Sequence, residues 1–436
     1  MRAARTLIAA FALVLMLPAA ALAASYGPSP KVRAQTPKPK GAGKAWVVCK
    51  KLKKGCFATK IQKAVDAAEA GDRIVVKPGT YKEGVRVKGS KKAWLTIVGD
   101  PRNPDRVILD GKGLKGIPAQ NGISVDGADG VRIEGLHAKN YLANGFFVRN
   151  VTGYVMTDLV AEHVGAYGIF AFNSRGGEMS ESTAFYNNDS GFYIGQTPRQ
   201  KKPIRSIVRN VTSYGNVLGF SGTNMRYVTI TKSRFFNNGD GIVPNALDSE
   251  KYPPPEDNVI SDNDVFWNNF NYYMGAPFTI APTKVGGIPY PVGIGILLYG
   301  SRGTVVEKNR IYGNYLTGFG MIQAITLKHP ADQPLLDNAI RNNAFGLSGT
   351  DKNGRDLAYD GDGENNCFAG NTGVETMYPT TAGVFATCPF KGKNTFDGTA
   401  QGEAVKWALD STHEKFWIKY PHASKPGLTP LEHYTK

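Results

Sequence analysis

The stretch Tyr186-Asn187-Asn188-Asp189-Ser190-Gly191-Phe192 is one copy of a pattern that decides the fold. In this pattern an aromatic residue and asparagines precede a glycine, and an apolar residue follows it. The glycine recurs about every 23 residues, with one much longer step, as Gly122-Ile123, Gly145-Phe146, Gly168-Ile169, Gly191-Phe192, Gly219-Phe220, Gly241-Ile242, Gly295-Ile296 and Gly318-Phe319. Such a period is typical of a solenoid, in which each unit buries its apolar face by stacking on its neighbours.

The segments between these glycines are short and β-branched, as in Val131-Arg132-Ile133, Val228-Thr229-Ile230 and Val305-Val306. None has the helical periodicity of ankyrin or tetratricopeptide units, the pattern of a leucine-rich repeat, or the period of about 40 residues of a propeller blade. We therefore expect coils of β-strands with about 4.8 Å between successive coils. The asparagines suit the corners, because Asn tolerates left-handed backbone and stacked Asn side chains hydrogen-bond to one another.

The step from Gly241 to Gly295 is more than twice the usual length. It holds either one degenerate coil anchored near Asn271 together with an insertion, or a single long excursion. We favour the degenerate coil, because Asn271 divides the step into two parts that are each close to one period in length.

The chain begins with a pattern typical of a secretion signal. Arg2 and Arg5 precede an apolar run from Leu7 to Leu17, and Ala21-Leu22-Ala23 offers a small-residue cleavage site. We predict a signal peptide over residues 1–23 and a secreted protein that leaves the membrane after cleavage. An uncleaved membrane anchor is the alternative, although the run is short for a membrane span.

The net charge of +16 is concentrated at the start of the chain, because the part before Asp66 is rich in Lys and Arg and contains no acidic residue. The part from Asp66 onward holds all the acidic residues and a similar number of basic ones, so bulk charge gives the folded part no preference for nucleic acid. Residues 24–44 form a basic linker rich in Pro and Lys, which is either a solvated tether or an attachment to an anionic cell-wall polymer. Composition also excludes a collagen, a disulfide mini-scaffold and a disordered chain.

The four cysteines lie in two pairs near the two ends of the expected fold. Cys49 lies close to Cys56 in the sequence, and Cys367 lies close to Cys388. In an exported chain this proximity favours two local disulfides among the three possible pairings. Zinc binding is the weaker alternative, because the spacings lack the paired C-x-x-C pattern.

Two segments near the start carry a resemblance to a known family. They read Thr59-Lys60-Ile61-Gln62-Lys63-Ala64-Val65-Asp66-Ala67-Ala68 and Gly71-Asp72-Arg73-Ile74-Val75-Val76-Lys77-Pro78-Gly79-Thr80-Tyr81-Lys82-Glu83. They resemble the opening of the pectate-lyase-like right-handed parallel β-helix superfamily, in which an amphipathic helix caps the first coil. The resemblance covers roughly Ala45 to Pro389. It implies an all-β fold, a right-handed single-stranded parallel β-helix, here with one coil for each period of the glycine repeat.

The resemblance and the repeat together divide the chain. We expect an N-terminal cap and first coils over residues 45–120, the repeats over residues 121–389 and a C-terminal capping segment over residues 390–436. The segments Leu95-Thr96-Ile97-Val98-Gly99 and Val107-Ile108-Leu109-Asp110-Gly111 look like an early coil. A mixed helical pattern with Trp407 and Trp417 predicts a folded tail over the open end of the last coil.

The resemblance implies an extracellular polysaccharide as partner, because members of the superfamily often bind or cleave such polymers. The chain does not combine the Asp, Gly-His-Gly and Arg-Ile-Lys segments of polygalacturonases, and it lacks the Asp-Pro-His-Asp of alginate epimerases. It also has no H-E-x-x-H motif, no G-x-S-x-G elbow and no phosphate loop, so we expect no organic cofactor.

Inserted residues interrupt the repeat after what reads as the same strand of several coils. The insertions are Gln196 to Pro203, Ala246 to Glu256, Pro277 to Pro291 and Lys328 to Pro334. Insertions at one phase of a solenoid emerge on one face, which is often the binding face. Near that face Asn150, Asn173 and Gln196 recur one period apart, which favours an internal ladder at a corner over a binding role.

The stretch Pro244-Asn245-Ala246-Leu247-Asp248-Ser249-Glu250-Lys251 is the candidate active site. Asp248 and Glu250 are the predicted acid and base, and Lys251 would neutralise a uronate or abstract a proton. An ordinary exposed charged loop is the alternative interpretation. The predicted substrate-binding residues are Asn245 from this loop and three insertion aromatics that would stack on sugar rings, Tyr252, Phe278 and Tyr290.

A second acidic cluster reads Asp360-Gly361-Asp362-Gly363-Glu364. Oxygen ligands separated by glycines suit a hard cation, so Asp360, Asp362 and Glu364 are candidate calcium ligands that would brace the last coils. An ordinary polar turn is the alternative, because the spacing is not that of an EF-hand loop.

These observations predict a secreted, monomeric protein that binds an extracellular polysaccharide and cleaves it as a lyase, with hydrolysis less favoured. The alternative is a non-catalytic surface or adhesion protein that binds glycan or protein. A lyase releases unsaturated products that absorb ultraviolet light, a hydrolase releases new reducing ends without that absorbance, and a binding protein releases neither.

Overall fold

The structure is a computed structural model that describes residues 38–41, 43–273, 284–285 and 288–413. The predicted signal peptide, most of the linker, Phe278 and the last residues of the tail lie outside these ranges. The described chain is a right-handed single-stranded parallel β-helix, as predicted, in which strands of successive coils pair in parallel.

The strands form three parallel ladders, and two long strands run through both the first and the second ladder. The first ladder contains Ala45–Val48, Arg73–Val76, Thr96–Val98, Arg132–Lys139, Val155–Glu162, Glu178–Ser180, Ser206–Arg209, Val228–Thr231, Val259–Ser261, Val305–Glu307, Ala339–Arg341 and Cys367–Ala369. The second contains Gly79–Tyr81, Val107–Asp110, the same Arg132–Lys139 and Val155–Glu162, Thr183–Phe185, Thr212–Tyr214, Arg234–Phe236, Asp264–Phe266, Arg310–Tyr312 and Ala344–Phe345. The third contains Val85–Lys88, Asn121–Asp126, Asn144–Arg149, Ile169–Phe172, Ser190–Gly195, Leu218–Thr223, Asp240–Asn245, Ile294–Tyr299, Thr317–Ile322, Leu357–Tyr359 and Met377–Tyr378.

Helices are few among the described residues. The helix α1 spans Ile61–Ala67 and the helix α2 spans Gly398–Ser411. Short 3-10 turns span Ser90–Lys92, Pro104–Arg106, Ile117–Ala119, Pro330–Asp332 and Gly346–Gly349. A small antiparallel hairpin pairs Lys284–Val285 with Ile288–Pro289. Neither α1 nor α2 has the length and apolar character that a membrane span needs.

The repeating glycine and its apolar neighbour lie in register in the third ladder. The apolar side chains point inward and stack as Ile123, Phe146, Ile169, Phe192, Phe220, Ile242, Ile296, Phe319 and Leu357, all buried. A Cβ atom on Gly145 would lie 2.6 Å from the carbonyl oxygen of Gly168, and one on Gly241 would lie 2.4 Å from that of Gly295. The period therefore marks the places where the backbones of two coils approach most closely.

The long step between Gly241 and Gly295 is a single coil. Asp240 pairs directly with Ile294, so no other strand of the third ladder lies between them. The expected degenerate coil near Asn271 is therefore wrong. The extra residues belong to two insertions, one before Val259–Ser261 and one after Asp264–Phe266.

Asparagine side chains form hydrogen-bonded ladders at the corners, as predicted. In one ladder each Nδ2 donates to the Oδ1 of the next member at 3.0–3.1 Å, through Asn187, Asn216, Asn238, Asn268, Asn314 and Asn353. The smaller predicted ladder forms in part. Asn173 Nδ2 donates to Asn150 Oδ1 at 2.7 Å, whereas Gln196 Oε1 accepts from Lys251 N–H. Asn173 and Asn150 adopt left-handed backbone, with φ of 49° and 56°.

The insertions surround the outer face of the third ladder. Three of them follow third-ladder strands, namely Ser190–Gly195, Asp240–Asn245 and Thr317–Ile322. The sequence predicts that Pro277–Pro291 follows the same strand as the other insertions. It lies instead between the second-ladder strand Asp264–Phe266 and the third-ladder strand Ile294–Tyr299, so that prediction is wrong. The face therefore has inserted segments at both of its edges.

Both predicted disulfides are present, Cys49–Cys56 and Cys367–Cys388. Near the first of them, Ile61, Ala64 and Val65 of α1 join the core of the first coils. The Glu83 carboxylate accepts hydrogen bonds from the backbone N–H groups of Ile61 and Gln62 at 3.0 and 3.1 Å. This carboxylate therefore satisfies donors that the first turn of a helix leaves free.

The helix α2 packs along the outer face of the last coils. The predicted cover over the open end stays a prediction, because residues 414–436 lie outside the described residues. The Trp407 ring lies 4.8 Å from the ring of Tyr378, in the last strand of the third ladder. Ser411 Oγ accepts a hydrogen bond from Val292 N–H at 3.0 Å. The helix covers the apolar outer face of the last coils there.

Candidate functional site

The outer face of the third ladder carries one central column of side chains, with one residue from each coil. In chain order the column is Arg86, Ser124, Phe147, Phe170, Tyr193, Ser221, Val243, Leu297, Gly320, Ala358 and Tyr378. These residues alternate with the inward apolar residues, because successive side chains of a strand point to opposite faces. The floor of the face is therefore aromatic in the three adjacent coils of Phe147, Phe170 and Tyr193, and it is small at Gly320 and Ala358.

Five aromatic side chains in three adjacent coils form what we call the aromatic strip: Phe147, Tyr167, Phe170, Phe172 and Tyr193. Phe147 and Phe170 stack with their centroids 4.6 Å apart and their planes 15° apart. Tyr167 lies 4.6 Å from Phe170 and 4.5 Å from Tyr193. Phe147, Tyr167 and Phe172 remain half-buried, so parts of their rings face solvent between the insertions.

Glu250 meets the strip at Tyr193. The Tyr193 hydroxyl donates a hydrogen bond to Glu250 Oε1, while Glu250 Oε2 has no hydrogen-bond partner among the described residues. Gly195 makes room for this pair, because a Cβ atom there would lie 2.6 Å from the Tyr193 hydroxyl and 2.8 Å from Glu250 Oε2. The arrangement therefore buries one unpaired carboxylate oxygen of Glu250 against Gly195.

Burial sets the protonation of this cluster. It raises the pKa of Glu250 to about 7, with a further contribution from the charge of Asp189. Burial likewise raises the pKa of Asp189 to about 6, against the hydrogen bond that Ser190 Oγ donates to Asp189 Oδ1 at 2.7 Å. Burial also raises the pKa of Tyr193 well above its ordinary value. Near neutral pH Glu250 is therefore divided between its two forms beside a neutral tyrosine.

Asn224 holds the segment that carries Glu250. Its Nδ2 donates to the carbonyl oxygens of Leu247 and Glu250, both at 2.8 Å, and its Oδ1 accepts from Leu247 N–H at 3.1 Å. Gln196 contributes one bond more, because its Oε1 accepts from Lys251 N–H at 2.9 Å. Asn224 and Gln196 occupy the corner positions that Asn150 and Asn173 occupy in earlier coils, so the corner ladder turns outward to hold the insertion.

Arg226 fixes the return of the same insertion. Its side chain is fully buried and donates two hydrogen bonds to the Pro254 carbonyl oxygen, at 3.2 and 2.8 Å. Its guanidinium also pairs with Glu256 at 3.1 Å. Both ends of the insertion are therefore tied to the body of the coil.

The predicted catalytic residues occupy different surroundings. Glu250 contacts the aromatic strip, as described. Asp248 is exposed, and its Oδ2 accepts a hydrogen bond from Lys328 N–H at 2.8 Å, which joins two neighbouring insertions. Lys251 is exposed at the rim. The structure thus places Glu250 against the aromatic strip, whereas Asp248 links two insertions through its bond to Lys328.

The predicted substrate-binding residues are also separated. Asn245 is buried in the third ladder, and Tyr290 is buried close enough for the charges of Asp189 and Glu250 to raise its pKa further. The Asn245 amide opposes that rise weakly. Tyr252 is half-buried behind Glu250 in the same insertion, and Phe278 lies outside the described residues.

The predicted calcium ligands are engaged otherwise. Asp360 accepts hydrogen bonds from Gln323 N–H at 2.8 Å and from Gln401 Nε2 at 3.2 Å, and burial raises its pKa to about 6. Asp362 Oδ2 accepts from Leu335 N–H at 3.1 Å, and Glu364 pairs through its backbone with Leu336. Within the described ranges no three or more His, Cys, Asp or Glu side chains are arranged to hold a metal. Calcium binding by these three residues stays a prediction.

A second row of aromatic rings lies on the second ladder, which we call the second-ladder stack. It contains Phe185, Tyr214, Phe236, Phe266 and Tyr312, with centroids 4.9–5.4 Å apart. Its middle members are buried, and only 1% of Phe236 is exposed. Phe170 and Tyr193 of the aromatic strip are buried to a similar degree, so what distinguishes the strip from this row is the Glu250 carboxylate that contacts it.

Four residues of the site, Asp189, Tyr193, Tyr167 and Phe170, are not among those predicted from the sequence. A signal was present in the strands, because an aromatic residue follows the inward residue in Gly145-Phe146-Phe147, Gly168-Ile169-Phe170 and Gly191-Phe192-Tyr193. Strand alternation makes that next position an outward one. The contact of Tyr193 with Glu250 joins residues 57 apart and has no local signal.

Comparison with known proteins gives matches of two kinds. Residues 65–278, just under half of the chain, match the family described as periplasmic copper-binding protein (NosD). A stretch of 159 residues is 29% identical to pectate lyase PEL9 of Emericella nidulans and covers 36% of this chain and 34% of that protein. The match thus spans about a third of the curated relative.

Solved structures are similar at low sequence identity. The A-module of mannuronan C-5 epimerase AlgE4 of Azotobacter vinelandii is 14% identical and aligns over 75% of this chain and 94% of its own, with a TM-score of 0.48. Pectate lyase Pel9A is 15% identical, over 77% and 78% of the two chains, with a TM-score of 0.42. An alginate lyase from Paenibacillus sp. str. FPU-7 is 14% identical, over 77% and 97%, with a TM-score of 0.42.

The copper in the NosD description does not fit the described residues. All four cysteines are in disulfides, so none offers a thiolate. The part of the chain that the structure describes also has no group of three or more His, Cys, Asp or Glu side chains placed around a common point. The tyrosines and carboxylates beside the aromatic strip are the groups from which we derive its chemistry.

Proposed function

The chain is a right-handed parallel β-helix of the pectate-lyase-like superfamily, and from this premise we propose that it binds an extracellular polysaccharide along the outer face of the third ladder. We propose further that Glu250 then cleaves the polymer by β-elimination. The single observation that carries both statements is the contact between Glu250 and the aromatic strip.

The aromatic strip supports binding of a polymer. Its rings follow one another across three coils, in the direction of the solenoid axis. The C–H faces of sugar rings pack against aromatic faces, which bury large apolar area at small cost in conformational entropy. The insertions at both edges restrict a bound polymer to this direction.

Glu250 supports proton transfer. A general base works best when its pKa is near the working pH, and the pKa of Glu250 is about 7. Its Oε2 is unpartnered and buried in the free protein, and it would remove the proton from the sugar carbon beside a uronate carboxylate once the insertion moves to admit the polymer. The electron pair forms the carbon–carbon double bond as the bond to the leaving glycosidic oxygen breaks, and that oxygen takes a proton from the Tyr193 hydroxyl or from water.

The other residues of the cluster support this step indirectly. Asp189 keeps the pKa of Glu250 high through its negative charge. Lys251 at the exposed rim would pair with the carboxylate of the uronate and stabilise the enolate charge that develops there. Asp248 then has no chemical role and maintains the loops through Lys328.

The two disulfides support a site of action outside the cytoplasm, since such bonds persist in oxidising compartments. We propose a secreted protein that acts as a monomer on a polysaccharide. Retention at the cell wall through the linker stays a prediction, because most of that segment lies outside the described residues.

The test is to incubate the purified protein with a panel of uronate and neutral polysaccharides, with calcium or with chelator. Retention, ultraviolet absorbance and new reducing ends are recorded together. We expect retention and rising absorbance on a uronate polymer, and a loss of absorbance of about 100-fold or more in Glu250→Gln with retention intact. Asp248→Asn, in the same loop, is the matched control and should stay within about twofold of wild type.

Each other outcome has a definite meaning. Retention without product from any polymer would replace the lyase by the non-catalytic binding protein. Reducing ends without absorbance would indicate hydrolysis. Neither retention nor product on the whole panel would remove the proposed function.

A further inference from the structure

The last coils hold a cavity of about 120 Å³ between the outer face of the third ladder and α2. Its floor includes Leu297, Gly320 and Ala358, and its roof includes Ala404 and Trp407. The lining is almost entirely apolar. Engineered apolar cavities of about 150 Å³ stay dry and bind benzene, so a space of this size accepts a benzene-sized group.

The cavity exists because side chains on both of its walls are small. The central column that carries Phe147, Phe170 and Tyr193 in earlier coils carries Gly320 and Ala358 here. On the roof the residues Ala400, Ala404 and Ala408 face the same space, four residues apart along α2. The same register therefore yields an aromatic surface in one half of the face and a hollow in the other.

One buried polar group faces this hollow. Asn245 lines the cavity and is 1% exposed, and its amide, which lies near the Tyr290 hydroxyl, makes no hydrogen bond of standard geometry among the described residues. An unpaired buried amide costs free energy, and a bound group that pairs with it recovers that cost. Tyr290 also lines the cavity, and the charges of Asp189 and Glu250 act on it, so the hollow adjoins the candidate site.

We infer that the cavity receives an acyl group esterified to a sugar of the bound polymer, with the ester carbonyl accepting a hydrogen bond from Asn245 Nδ2. An acyl ester matches the cavity because it combines an apolar body with one strong hydrogen-bond acceptor, the carbonyl oxygen. This inference rests on the proposed function, because it assigns the polymer a substituent. It concerns a different part of the face and different residues from the proton transfer at Glu250.

The site itself is tested with two small probes, methyl benzoate and toluene, in ligand-detected NMR titrations of the purified protein. Both should bind wild type saturably. Gly320→Leu and Ala404→Leu fill the hollow from the floor and from the roof, and each should weaken both probes by about tenfold or more. Gly320 has ordinary backbone and a Cβ there would meet only Leu297 and Thr317, at 3.2 and 3.8 Å, so the strand accepts a side chain.

Two further variants control this experiment. Gly402→Leu adds the same side chain to α2 where a Cβ meets nothing within 4 Å, and it should bind both probes as wild type does. Asn245→Leu has nearly the same shape and no amide. It should bind toluene unchanged and lose about 2- to 12-fold in affinity for methyl benzoate, the value of one hydrogen bond.

The polymer is tested next, with the glycan that the panel retains, before and after partial benzoylation. Wild type should retain the benzoylated form more tightly, and Gly320→Leu should lose that gain while it retains the unmodified form. No saturable binding of either probe, equal effects of Gly320→Leu and Gly402→Leu, or no gain on benzoylation would overturn the inference. If no glycan is retained at all, the proposed function fails, while the probe titrations still decide whether the cavity is a site.

Discussion

The two halves of the third ladder's outer face share one backbone register and differ in what they present. In the half near the N terminus, Phe147, Phe170 and Tyr193 form an aromatic surface that ends at Glu250. In the half near the C terminus, Gly320 and Ala358 take the same positions and α2 covers the hollow they leave. The inward residues are large and apolar in both halves.

This difference shows that the inward and outward residues of each strand have separate roles. Inward residues and coil-contact glycines fix the coil and repeat along the whole chain. Outward residues are free of that demand, so they vary from coil to coil and determine what each stretch of the face can bind. A change on the inner side should therefore affect folding, and a change on the outer side should affect function.

The largest expected effect is on the inner side, at Gly241. A Cβ there would lie 2.4 Å from the Gly295 carbonyl oxygen and 2.6 Å from Val265, so Gly241→Val forces two coils apart. We expect a loss of unfolding free energy of about 4 kcal/mol or more, measured by urea denaturation. Gly320→Ala, on the outer side of the same ladder, is the control and should change that free energy by less than about 1 kcal/mol.

The next effect concerns pH and Glu250. Because burial raises the pKa of Glu250 to about 7, above its ordinary value, the folded state holds this proton where the unfolded state has released it. The protonated Glu250 contributes fully to the free energy of unfolding at pH values below its unfolded pKa. That contribution, about 3 kcal/mol, is lost as the pH rises through about 7. Thermal melts of wild type and Glu250→Gln should therefore differ more at pH 8 than at pH 4, with the variant the more stable at pH 8.

The activity of wild type should rise with pH, whereas its stability falls. A base acts in its ionised form, so kcat/KM of wild type should rise with pH and level off above about 7. A profile flat from pH 5 to pH 8 would mean that Glu250 is not the base.

A smaller effect is expected at Asn224, which positions Glu250 through its bonds to the loop backbone. Asn224→Ala should lower kcat by about tenfold and move the midpoint of the pH profile below 7, because a released loop exposes the carboxylate to water. Asn173→Ala removes a corner residue that bonds to Asn150, and its profile should match that of wild type. Equal profiles for the two variants would show that Asn224 has only a structural role.

The smallest effect is expected at the edge of the aromatic strip. Phe147→Ala removes a half-exposed ring that stacks on Phe170, so retention of the polymer should weaken by about 2- to 12-fold with kcat unchanged. Leu142→Ala removes a similar exposed apolar area at a corner of the coil and should leave retention as it was.

The fold was predictable because its determinants are local and repeat. The glycine period, the corner asparagines and the cysteine pairs are each visible over a few residues, and the structure confirms them. The single coil around Asn271 was not predictable, since an insertion of about one period reads like a coil. Which insertion lies at which edge also depends on the strand before it, and short strands such as Asp264–Phe266 carry little signal.

The site was predictable only in part. Glu250 was selected because a charged loop interrupts the repeat, but Asp248 and Lys251 were selected for the same reason and have different surroundings. What distinguishes Glu250 is its contact with Tyr193, two coils earlier on the solenoid. Such a contact depends on how far an insertion folds back over the face, which residue type and spacing do not specify.

The most direct test of the central claim is amide hydrogen exchange of the protein with and without an oligosaccharide of the retained polymer. We predict slower exchange in Ile169–Phe172, in Ser190–Gly195 and in residues 246–251 when the oligosaccharide is bound, with no change along the second ladder. Protection centred on Thr212–Tyr214 and Arg234–Phe236 would place the polymer on the second-ladder stack instead. That result would contradict the assignment of the polymer site to the outer face of the third ladder.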